Sequence, residues 1–304
     1  MARRGNFGTL AVLLGLMAGF SACTYNVQPA VTQFGNGVVT AQNSESAYFS
    51  ALNQKRANAS TAHVLASRYV VVQKDGSVWV KGDLGPPPTT IVPQDVTDAV
   101  DGLLKPIQAY GQAMQALSGD TSATTLNTNV NNLAQQASAF DTSVLQPLGA
   151  SGIPSATQLN AVGKAVEDLG GVIIAALIST DVKAAANNAQ KPLSDIVNGL
   201  KAINGYWSTQ VPQDLRFYTA SAAVAVWNNP TGPPSWNERV ALKGIWDAAA
   251  VPVTPDAVNK ALDALLTANA AIANAGPVGA KVQIQNFAQL ASAAYAAYSS
   301  FLTK

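Results

Sequence analysis

The sequence predicts an all-α chain: a multi-helix antiparallel bundle of coiled-coil-like helical hairpins with one small β-hairpin near residues 69–81. Three observations carry this expectation. Apolar residues recur in alternating steps of four and three along much of the chain, the spacing of a buried helical seam. Breaks rich in Pro and Gly separate the seams. A pair of β-branched runs flanks an Asp-Gly dipeptide, the residue pair that favours a tight hairpin turn.

Residues 1–22 read as a signal peptide. Arg3 and Arg4 precede an apolar run from about Leu10 to Phe20, and the small residues Ser21 and Ala22 lead into Cys23, the only cysteine. The run is shorter than the ~20 residues a membrane span requires. Arg3-Arg4 lacks the closely following apolar pair of a twin-arginine signal, because Gly5 and Asn6 intervene. A lone cysteine in an exported chain has no internal disulfide partner, so another role is expected. With Phe20, Ser21 and Ala22 before it, Cys23 resembles the lipobox of bacterial lipoprotein precursors, in which Leu usually stands at the Phe20 position. The resemblance implies cleavage before Cys23, acylation by fatty chains such as palmitate, and a mature chain held at a membrane by lipid. Thr24, where an Asp would favour inner-membrane retention, implies the periplasmic face of the outer membrane in a Gram-negative host.

Residues 23–42 are polar and contain Gly and Asn, and read as a flexible lipidated tether. Residues 43–304 read as the helical bundle domain, with a sub-boundary near 228–235 at NNPTGPP. A first helix is expected over 43–67, with Ser44 as N-cap and Tyr48 and Leu52 near one face. The runs 69–73 (YVVVQ) and 77–81 (SVWVK) flank Lys74-Asp75-Gly76 and predict the hairpin, which should lie on helices because two strands alone are marginal. Gly85–Pro88 is then extended or turning.

Val96, Val100, Leu103, Ile107, Tyr110, Met114 and Leu117 form an unbroken seam, with Pro106 expected to kink or end its helix. Leu126, Val130, Leu133, Ala137, Phe140 and Val144 form a second, so the two predict a helical hairpin. Leu159 to Leu177 and Leu193 to Trp207 predict another pair, in which the run GGVIIAALI (170–178) is buried helix. Val211-Pro212 is expected to interrupt before a further segment ending at Trp227. Ser235 caps a short helix to about Ala250, and Thr254-Pro255-Asp256 supplies a cap, a first-turn proline and an acidic first turn. Val258, Leu262, Leu265 and Ile272 continue that helix, and Phe287, Leu290, Ala294, Tyr298 and Phe301 mark the last.

The composition excludes several function classes. Without Arg3 and Arg4 the chain has 16 basic and 17 acidic side chains, and charged residues are 12% of the whole, so no basic field exists to attract nucleic acid. His63 is the only histidine and has no evident catalytic or metal-binding partner in sequence. Asp95, Asp98 and Asp101 fall near a helix start, where acids complement the dipole, and Glu167-Asp168 point apart on a helix. No phosphate-binding glycine loop is present, and no catalytic residue, cofactor or metal is implied.

Aromatic residues cluster over 206–246. Trp207, Tyr218, Trp227, Trp236 and Trp246 are the candidates for a pocket that takes a sugar or lipid, against the alternative that they form core. The sequence therefore points to a membrane-anchored, non-enzymatic envelope lipoprotein that acts by binding or structural contact with an envelope protein. The alternatives are a small-ligand module built on the aromatic segment, or a helical membrane-active protein.

Overall fold

The computed structural model describes residues 28–66, 70–72, 78–80, 92, 94–117, 155–179, 181–227, 253–275 and 277–302, with 235, 236, 239, 240 and 243. The helices among these residues form a bundle. Its helices are α1 (Gln28–Ala66), α2 (Gln94–Gln115), α3 (Ala156–Ser179), α4 (Val182–Trp227), α5 (Asp256–Asn274) and α6 (Pro277–Leu302). Between α1 and α2, Val70–Val72 and Val78–Val80 pair antiparallel, with Val71 opposite Trp79. The Asp75-Gly76 turn expected between them lies outside the described residues, as do the Leu126–Val144 seam and most of the expected 235–250 helix.

The predicted seams become the core. Val96, Val100, Leu103, Ile107, Tyr110 and Met114 of α2 are all buried, as are Leu159, Val162, Val166, Leu169 and Ile173 of α3. The sequential pairs α1–α2, α3–α4, α4–α5 and α5–α6 are antiparallel. In the α3–α4 pair Val162 faces Gly199, where a methyl group would approach within 2.7 Å. In the α5–α6 pair the Tyr298 hydroxyl near the end of α6 donates to the Thr254 carbonyl just before α5, at 2.8 Å. The predicted antiparallel order does not extend to every packed pair: α1 and α6 run parallel. Gly37 meets Phe287, Ser44 bonds Ala291 and Lys55 lies over Phe301, so positions advance together along both helices.

The largest departure from expectation is α1. Gln28–Gln42, read as tether, are the first four turns of this 39-residue helix. The reason is a seam hidden by polar neighbours: Val31, Phe34, Val38, Ala41, Glu45, Tyr48, Leu52 and Lys55 follow steps of three and four without a break, and all are buried. Gly35 and Gly37, which suggested coil, are close-approach positions instead. A methyl group on Gly37 would come within 2.6 Å of the Phe287 ring, and one on Gly35 within 2.7 Å of Gln115. Ser44 is accordingly not a cap. It is buried in mid-helix, and its hydroxyl lies 2.8 Å from the Thr40 carbonyl and 2.8 Å from that of Ala291.

Other helix ends follow local chemistry. Ser155 and Gln158 make a reciprocal capping box at the start of α3. Asp181 accepts from the Lys183 and Ala184 amides at the start of α4. The α5 start falls where expected, but Thr254 does not cap it. Pro255 occupies the capping position without a side-chain bond, and the Thr254 hydroxyl donates to Asp256 instead. Neither Pro106 nor Pro212 ends its helix, since α2 and α4 continue through both.

Candidate functional site

Polar side chains enter the core in two layers. In one, Tyr110 of α2 donates to Asn269 Oδ1 of α5 at 2.6 Å, and Asn269 Nδ2 donates to the Ala186 carbonyl of α4 at 2.8 Å. Phe34 of α1 meets Tyr110 edge-on at 6.1 Å and Phe287 of α6 at 5.8 Å, which ties all these helices to this level. The second layer lies ten residues away along α5, or roughly 15 Å at 1.5 Å per residue. There Asn204 Nδ2 of α4 lies 3.0 Å from Glu45 Oε1 and 3.1 Å from Asn259 Oδ1, while the Tyr48 hydroxyl donates to the Asn204 carbonyl.

Glu45 is the least ordinary residue of this layer. It is fully buried, Oε2 has no partner, and neither does Asn204 Oδ1. Burial pushes its pKa up to about 8; the Asn204 bond opposes that rise and the charge of Asp101 adds to it. Glu45 is therefore mainly a neutral carboxylic acid at pH 7. Tyr48 packs against Tyr298 at 5.2 Å, and desolvation raises both phenols, Tyr298 to about 12.

Tyr298 also forms the floor of a surface groove of about 340 Å³ between α5 and α6. Its hydroxyl is committed to the Thr254 carbonyl and the Val258 amide. Leu290, Ala294, Ala297 and Phe301 make the apolar walls, and Asp256 and Lys260 stand at the α5 side. The volume lies at the low end of the ~300–1,000 Å³ range of small-molecule pockets. This groove can hold a small apolar group or a partner's side chain, and its one phenol is already bonded.

Of the sequence-selected aromatics, the two with described side chains differ in burial. Trp207 is 9% exposed and packs in the core beside Tyr206, with ring centroids 5.0 Å apart. Trp236 is 74% exposed. Tyr218 and Trp227 lie on α4 with undescribed side chains, while Cys23 and Trp246 lie outside the described residues. His63 lies on α1, again with an undescribed side chain. The acidic residues behave as helix chemistry predicts: Asp95 accepts from the Val96 amide, Asp101 from Ser46, and Asp168 pairs with Lys164 on the surface. Among the described residues no group of three or more His, Cys, Asp or Glu side chains could hold a metal, and no helix is long and apolar enough to cross a membrane.

Sequence reasoning missed the polar layers, although their signal was periodic. Glu45 sits between Ala41 and Tyr48 on the α1 seam, Asn204 between Leu200 and Trp207 on α4, and Asn269 between Leu265 and Ile272 on α5. Each is a polar residue at a seam position, the placement that fixes register in helical assemblies at a cost in stability. Comparison with protein-family models, curated proteins and solved structures finds no match.

Proposed function

We propose that this protein is a lipid-anchored envelope protein that works by contact, its mature chain beginning at an acylated Cys23 and its helical body presenting surfaces to an envelope protein. The observation that carries the reading is the joining of two features. A lipobox-like segment ends at Cys23, and α1, which begins at Gln28, threads the core against α2, α4, α5 and α6. A lipid on Cys23 would thus be coupled to the helix on which the bundle is built. The outer-membrane periplasmic face is the location that Thr24 favours.

Envelope fractionation of wild type and Cys23→Ser tests the anchor. Wild type should float with membranes and Cys23→Ser should be released as a soluble, folded chain. Equal membrane retention of both would refute it. Cross-linking in intact envelopes tests the contact role: a reproducible partner lost in Cys23→Ser supports it, and an empty cross-link profile counts against it.

The α5–α6 groove favours a second reading, small apolar ligand binding. Ala297→Trp would fill the groove from its rim. Fluorescent fatty-acid analogues should then bind wild type but not the variant; binding by neither, or equally by both, would sink this reading.

A further inference from the structure

The layers fix which helix ends share one end of the bundle. Beyond the Phe34–Tyr110–Asn269–Ala186 level lie the first turns of α1, α4 and α6 and the last turns of α2, α3 and α5. This is the end nearest Cys23. Five backbone steps separate Cys23 from Gln28, and a fully extended chain covers no more than about 18 Å in that length. Any lipid on Cys23 is held within that distance of this end.

This end of the bundle is poor in charge. Asp181, Lys183 and Lys281 are the only charged side chains on its described turns, and Asp181 is engaged in capping α4. Large apolar side chains face outward instead: Val278 is 79% exposed, Val282 55% and Ile174 47%. Val278 and Val282 are one helical turn apart on α6. Ile174 and Val282 each lie five residues from the terminus of their helix, roughly 8 Å from the bundle end. Interfacial helices bury their apolar faces to about this depth, ~5–10 Å, and lysines at the rim reach the headgroups.

We infer that this end of the bundle docks on the lipid surface that holds Cys23. Val278, Val282 and Ile174 enter the interface, and Lys183 and Lys281 face headgroup phosphates. The inference rests on the lipid-anchor reading and adds an orientation to it: the helices stand on the membrane, and the Glu45–Asn204 layer and the α5–α6 groove point away.

The test uses the full mature lipidated protein in phosphatidylethanolamine–phosphatidylglycerol vesicles. With Cys23 acylated, Val278→Cys or Leu302→Cys supplies one reactive thiol, at the near or far end, for an environment-sensitive fluorophore. The label at 278 should shift to shorter wavelength and lose most of its emission to lipid-borne nitroxide quenchers, while the label at 302 should do neither. Val282→Asp with Ile174→Asp should abolish quenching at 278 in protein that still floats. Floating protein with equal behaviour at 278 and 302 overturns the docking inference alone. Protein that fails to float, with an unmodified Cys23, overturns the anchor reading and the inference with it.

Discussion

Replacing Glu45 by Gln should remove the main pH dependence that the core imposes on stability. Glu45 is fully buried, and its carboxyl is held protonated up to about 8, against 4.5 for the unperturbed group. Between those values the folded state binds a proton that the unfolded chain releases, so the stabilisation is complete below about pH 4.5 and is lost as pH rises toward 8. At about 1.4 kcal/mol per pH unit, the full interval corresponds to about 5 kcal/mol as an upper bound. Gln has the same shape and no titration. Its carbonyl can accept from Asn204 Nδ2 as Glu45 Oε1 does, and its amide can turn toward the unpartnered Asn204 Oδ1. Urea unfolding of both proteins from pH 5 to pH 9 reads the effect. The two should be similar near pH 5, and Glu45→Gln should be more stable by several kcal/mol at pH 9. Subtracting one curve from the other cancels the groups that do not interact with Glu45. Parallel curves across the range would refute the reasoning.

Three further outcomes follow from the packing. Gly37→Ala and Gly171→Ala make the same change on α1 and α3 with opposite expected signs. The added methyl would strike the buried Phe287 ring in the first and meet nothing within 4 Å in the second. Denaturant melts should show Gly37→Ala destabilised by about 1–2 kcal/mol and Gly171→Ala stabilised by up to about 1 kcal/mol. Tyr110→Phe leaves Asn269 Oδ1 buried without its 2.6 Å donor, which should cost about 1–3 kcal/mol in the same assay. Removing the exposed Lys164–Asp168 pair by Lys164→Ala should change stability by less than about 1 kcal/mol, read as an unchanged thermal midpoint.

Much of the helical architecture was legible because burial is periodic. The seams through Val96–Met114, Leu159–Ile173 and Leu193–Trp207 consist almost wholly of large apolar residues, and each became core. Legibility failed where a seam position was polar or small. Gly35-Asn36-Gly37 gave α1 the look of a linker, because the close contact with Phe287 that requires Gly37 is a property of another helix 250 residues away. Asn269 falls between Leu265 and Ile272 on the α5 seam, and only its partners Tyr110 and Ala186, on α2 and α4, make it a core residue. The proline at 212 misled for a related reason: local propensity argues for a break, and α4 nevertheless runs on as one helix. The parallel packing of α1 on α6 has no local signal at all, since it depends on the order in which the remaining helices close the bundle. Composition marked the aromatic cluster but not the burial of its members: Trp207 turned inward and Trp236 outward.

The account depends most on what becomes of Cys23, since the anchor joins the lipid to α1 and sets which end of the bundle faces the membrane. Intact mass spectrometry of the mature protein purified from the envelope fraction reads this directly. A chain that begins at Cys23 and carries fatty acyl chains is the predicted result. A free Cys23 thiol, or cleavage at another position with no added lipid mass, would contradict it.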